Sequence, residues 1–62
     1  MSNKNQAIAA AKRAAKRSKD WRYVVYEPEV GYMVAEGFEL ETFFLGAPVE
    51  WAVGPDGSVE AA

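Results

Sequence analysis

The chain has 62 residues, seven Lys/Arg against nine Asp/Glu, and a formal charge of −2. It contains no cysteine and no histidine, which excludes disulfides, thiolate nucleophiles, Cys/His zinc sites and Ser-His or Cys-His catalytic pairs. A chain this short buries only about 60% of its unfolded-state surface, so the expectation is one small domain over residues 1–62, held by apolar side chains alone.

Charge is unevenly distributed along the chain. Residues 1–22 hold all seven bases and one acid, Asp20, a balance of +6. Residues 23–62 hold eight acids and no base, a balance of −8. Asymmetry between halves points to interaction driven by charge. Composition is otherwise globular, with 50% hydrophobic and 13% aromatic residues.

From about Lys4 to Lys19 the alanine, lysine and arginine content predicts a helix. Ser2 or Asn3 is its candidate N-cap, with Gln6 three residues after Asn3. Ala7, Ile8, Ala11, Ala14 and Ala15 mark one apolar face, on which only Ile8 is large. This face can bury little area, but alanine allows close approach to a sheet, so the helix is expected to dock on the rest of the chain while being weakly held. Lys12, Arg13, Lys16 and Arg17 form a basic stripe at four-residue spacing with no acid facing it. Ala7 to Ala11 is too short for the roughly 7–15 apolar residues of a secretory signal. No run approaches the ~18 of a membrane span, and a cytoplasmic location with no membrane partner is expected.

Trp21–Glu27 is rich in β-branched and aromatic residues and predicts a strand. Pro28 and Gly31 punctuate a turn, and 32–36 returns as the antiparallel partner. If Glu27 and Glu29 continued one strand face, their carboxylates would stand about 6.6 Å apart, twice the rise per strand residue. Residues 38–45 are open to two readings. As a short helix, Leu40, Phe43 and Phe44 share a face, the acids fall in the first turn, and Gly46 and Pro48 end it. As a strand, Phe43 and Leu45 spoil the alternation, so the helix is preferred. Val49–Val53 alternates like a strand, Gly54–Gly57 is a turn, and 58–60 returns as a short edge strand before a fraying end. The fold class is α+β: an N-terminal helix on an antiparallel sheet of three to four strands, with a short helix or extra strand at 38–45. Its expected core is Ile8, Tyr23, Val25, Val34, Leu40, Phe43, Phe44, Val49, Trp51 and Val53.

Few residues could carry catalysis. Glu39 and Glu41 have the chemistry of a carboxylate pair, but so short a chain has little room for a cleft that shifts a carboxyl pKa. Ser18, Thr42 and Ser58 have no histidine to activate them. The acids do not follow the calcium-loop pattern, and Gly54 and Gly57 bracket a turn rather than a phosphate loop. No catalytic residue, metal, cofactor or small-molecule substrate is expected. Beside the plain readings that these charges only keep the chain soluble, or that exposed aromatics mediate oligomerisation, two charge-driven binding readings stand. The carboxylates Glu27, Glu29, Glu36, Glu39, Glu41, Glu50 and Asp56 form a one-signed surface suited to a basic partner. Alternatively, Lys12, Arg13, Lys16 and Arg17 contact nucleic-acid phosphates, although the acidic pI near 4.9 opposes the usual basic signature.

In format the chain resembles the small, acidic, cysteine-free anti-CRISPR proteins encoded by phages. The features concerned are the length, the basic alanine-rich N-terminal segment and the acidic region Tyr23–Glu60. It is most similar to inhibitors of type I Cascade complexes, type I-C among them, that act as DNA mimics. The resemblance implies a monomeric, non-enzymatic, stoichiometric inhibitor in the host cytoplasm. Its carboxylates would engage the Arg/Lys groups that normally grip DNA. The +6 N-terminal stretch departs from a pure DNA mimic.

Overall fold

The computed structural model describes residues 3–62. Its elements run α1 (Lys4–Ser18), β1 (Arg22–Glu27), β2 (Gly31–Ala35), α2 (Gly37–Leu40), β3 (Val49–Val53) and β4 (Val59–Ala61). The strands form one antiparallel sheet in the order β2-β1-β3-β4. The α+β expectation holds.

Both ends of α1 follow from local chemistry. Asn3 is extended, and its side chain accepts the Gln6 N–H at 2.9 Å, satisfying one of the orphan donors of the first turn. Ser2, the other candidate cap, lies outside the described residues. At the far end Lys19 adopts the left-handed conformation (φ 57°), and its N–H bonds the Ala15 carbonyl.

The helix docks on the sheet, as expected, through its small side chains. Ala7, Ala11 and Ala15 have no exposed surface and pack against Val24 and Val53, with Ile8, Tyr32, Val34 and Trp51 around them. Side chains four residues apart stack along one helix face, so three alanines make a smooth strip. The helix can then approach the β-branched residues of the sheet closely. Close contact along the strip replaces the bulk its side chains lack.

β1 is the centre of the molecule. Successive strand residues point to opposite faces, and Val24 and Val25 are both fully buried. Val24 faces α1, whereas Val25 joins Ala35 and Phe44 on the other side, with Met33, Leu40, Ala47 and Val49 packed around them. The sheet thus lies between α1 and a second layer formed by residues 37–47.

Val49, Trp51 and Val53 alternate as if they shared a face, yet Val49 belongs to the second layer while Trp51 and Val53 meet the helix. The cause is a bulge: Val24 pairs with Trp51 but Val25 with Val49, leaving Glu50 as the extra residue of β3. The skipped residue moves the start of β3 to the opposite face.

Residues 38–45 are helical only as far as Leu40, after which 41–46 wind through turns. This changes one core assignment. Phe44 is buried and Leu40 half-buried as expected, but Phe43 is 82% exposed. An unbroken helix would have turned Phe43 inward with Leu40; once the helix stops, the turn brings only the next ring to the sheet. At the C-terminal end Ala61 is in β4, and the Ala62 N–H bonds the Glu50 carbonyl at 3.1 Å, so the last residues are paired rather than frayed.

Replacing Ala11 with leucine is expected to overpack the α1–sheet contact and cost about 1–3 kcal/mol. Ala9→Leu, on the exposed face of the same helix, should change stability by no more than about 0.5 kcal/mol. Urea unfolding of the two variants measures the difference; equal effects would contradict the alanine contact.

Candidate binding surfaces

The seven carboxylates singled out in the sequence do not form one array. Glu27 ends β1, while Pro28, Glu29 and Val30 form the turn to β2, with the Val30 N–H on the Glu27 carbonyl at 3.1 Å. Glu29 therefore does not continue the strand face of Glu27, and the two-residue carboxylate spacing expected of an extended strand is absent. Gly31, at φ 96°, occupies a backbone region open mainly to glycine and leads the chain back into β2. This hairpin end lies a strand length from the end that carries Glu36 and Asp56.

At that other end the carboxylates are engaged within the fold. Tyr23 pairs with Ala35, so continuing the register by one residue sets Arg22 opposite Glu36. Their side chains form an ion pair at 2.9 Å, with Arg22 11% and Glu36 44% exposed. The same Arg22 donates to the Trp21 carbonyl at 2.9 Å. Glu39 reaches back to accept the Glu36 N–H at 2.8 Å, holding the start of α2.

Asp56 organises the β3–β4 turn. Its Oδ1 accepts the Ser58 N–H at 3.0 Å and the Ser58 hydroxyl at 2.7 Å. The Gly54 N–H bonds the Ser58 carbonyl at 2.9 Å, and the Gly57 N–H bonds the Gly54 carbonyl at 3.0 Å. Gly54 has no space for a side chain: a Cβ would lie 2.8 Å from the Ser58 hydroxyl and 2.9 Å from Asp56 Oδ1. The hydrogen bonds from Ser58 hold the Asp56 carboxyl below its ordinary value of 3.8.

Glu41 and Glu29 are exposed, and Glu27 and Glu50 are half-buried at the strand end and the bulge. On either side of Glu41 in the chain stand the three most exposed large apolar residues: Phe38 is 64%, Phe43 82% and Leu45 76% exposed. These residues share the layer opposite α1. Helical spacing places Phe43 in the core and so conceals this surface. The available signal was the run Phe38–Leu45, which contains more large apolar residues than a single short helix face can bury.

The basic candidates come together as expected. Lys12, Arg13, Lys16 and Arg17 are all exposed, on the side of α1 away from the buried alanines. α1 contains no acid, and Arg22–Glu36 is the one ion pair found among the described residues. Lys4 lies apart, 5.4 Å from the centre of the Trp51 ring in a cation–π contact. Trp51 also neighbours Tyr32, and Tyr32 meets Tyr26 edge-on with centroids 5.1 Å apart. The protein thus presents a positive outer face on α1, while the seven carboxylates are spread over the β1–β2 hairpin, the β3 bulge, the β3–β4 turn and residues 36–41, of which Glu39 and Glu41 lie in the layer across the sheet.

Among the described residues no cavity is enclosed and no group of three acids could hold a metal ion. No helix among them is long and apolar enough to cross a membrane. No protein-family model matches the chain, and neither a curated protein nor a solved structure matches it.

A lowered folded-state pKa contributes stability that is present above the ordinary value and lost as pH falls through the folded one. The advantage of wild type over Asp56→Ala is therefore expected at neutral pH and to shrink as pH falls below the ordinary carboxyl value of 3.8. Unfolding of both proteins across the acid range tests this; a gap that widens toward low pH would refute it.

Proposed function

We propose that the protein is a non-enzymatic, stoichiometric inhibitor whose acidic layer occupies a basic nucleic-acid-binding site on a host defence complex in the cytoplasm. The observation that carries the reading is the exposed group Phe38, Phe43 and Leu45 beside Glu41, on a half of the chain with eight acids and no base. Soluble domains rarely expose large apolar side chains together unless a partner covers them. Aromatic side chains supply most of the energy at protein interfaces, whereas surrounding charges set the encounter rate and exclude partners of like sign. Together they fit a protein groove lined with Arg and Lys and offering apolar pockets. A nucleic acid is repelled by the same carboxylates.

The resemblance to anti-CRISPR proteins makes a type I Cascade complex the specific target. Here the proposal departs from strict imitation of a DNA strand. Glu36, Glu39 and Asp56 serve the fold through their bonds to Arg22, the Glu36 N–H and Ser58. Glu41, Glu29, Glu27 and Glu50 carry the attraction, and the apolar side chains carry the affinity.

The test is a gel-retardation assay with purified Cascade, its target duplex and increasing amounts of the protein. DNA binding should fall stoichiometrically. The joint variant Glu41→Lys and Phe43→Ala should lose at least about tenfold in potency, the scale of one good interface contact. Glu41 closes α2 through its backbone N–H alone and Phe43 is exposed, so neither side chain is needed by the fold and circular dichroism should report it unchanged. Full DNA binding in excess protein would remove Cascade as the target. A folded joint variant of undiminished potency would remove this surface.

A further inference from the structure

We infer that the outer face of α1 is a second, separate binding site, for the phosphate backbone of a nucleic acid. It does not rest on the function proposed for the acidic layer. At 3.6 residues per turn, Lys12, Arg13, Lys16 and Arg17 lie about 100–240° around the axis from Ala11. Ala11 is fully buried against the sheet, so the four cationic groups share the side facing solvent, where all four are exposed. They occupy about 7.5 Å of helix length, a short, dense row of positive charge.

Among the described residues no acid pairs with this row, and only the C-terminal end of the helix dipole, beside Lys16 and Arg17, offsets its charge. α1 has no acid, and the ion pair found among the described residues engages Arg22, not these four. The nearest acid in sequence, Asp20, accepts the Trp21 N–H at 2.8 Å beyond the helix end. Holding four like charges at i, i+4 spacing costs a few tenths of a kcal/mol per pair, and a polyanion laid along them removes that cost.

The acidic layer does not prevent this binding. Even the shortest principal dimension of the fold is 18 Å, about twice the ~8 Å over which charge acts at physiological salt. A phosphate on α1 is thus largely screened from Glu41 and its neighbours. The ligand is a nucleic acid rather than a lipid surface because an interfacial helix inserts its apolar face into the membrane. In α1 that face is already buried against β1, β2 and β3. Arginine at two of the four positions adds planar donors suited to paired phosphate oxygens.

Fluorescence anisotropy of the full chain with a short labelled DNA duplex, and with a labelled single-stranded RNA, tests the site. Four phosphate contacts imply a slope near −3.6 in log affinity against log salt for the duplex, or roughly a hundredfold loss between about 50 and 200 mM. The joint variant Lys12→Gln, Arg13→Gln, Lys16→Gln and Arg17→Gln should abolish binding while retaining wild-type helicity. Glu60→Gln, on the exposed strand β4, should leave affinity unchanged at physiological salt. Absence of binding to either probe at 50 mM would overturn the assignment. So would binding indifferent to the glutamine variant, or equally tight binding to phosphatidylserine vesicles.

Discussion

The contact of Ala7, Ala11 and Ala15 with Val24 and Val53 fixes how α1 and the sheet meet, and with it which side chains reach solvent. A helix of this composition has little apolar bulk, and an isolated helix of fifteen residues is marginal in water. Close approach solves both problems. Alanine adds no side-chain entropy cost, and its small Cβ lets branched residues of the sheet fill the space between backbones. The same geometry sends every long basic side chain from 12 to 17 away from the sheet. Fold and surface charge thus follow from one choice of residue at one helical spacing.

With α1 on one face, the other face of the sheet needs its own cover, because Val25 follows Val24 on the central strand and is equally buried. The cover comes from residues 37–47, which lack the length for a second full helix. Phe44 supplies its anchor, joined by Leu40 and Ala47. The bulge at Glu50 supports this layer by turning Val49 toward it while Trp51 and Val53 remain under α1. One inserted residue lets a five-residue strand serve two cores.

Local signals carried most of the fold. The Asn3 cap, the β-branched run 22–27, Gly31 and the Gly54–Gly57 turn each act within a few residues, and all were legible. What escaped were decisions made by tertiary packing. Periodicity alone put Val49 and Trp51 on one face, because a bulge is fixed by the pairing strand and leaves the sequence pattern intact. It put Phe43 inside, because Leu40, Phe43 and Phe44 share a face only if the helix continues past Leu40. The basic stripe was legible because a helix face depends on spacing alone. The scatter of the acids was not, since they fall at a strand end, a turn, a cap and a bulge whose places only the folded chain fixes.

That difference bears on how charge is interpreted in a chain this short. A small domain has few residues to spare, so its polar side chains also serve as caps, turn locks and strand-end partners. Three of the seven candidate carboxylates have such tasks: Glu36 with Arg22, Glu39 at the start of α2, and Asp56 with Ser58. Counting acids therefore overstates the surface open to a partner. The bases of α1 escape this discount, since a helix interior needs no side-chain caps and the alanines already meet its packing needs. The basic stripe thus presents its charge to solvent, while the acids of the remaining chain offer a smaller effective charge beside exposed aromatic rings. A surface of the first kind acts through charge alone and weakens with salt, whereas one of the second kind retains its apolar contribution as salt rises.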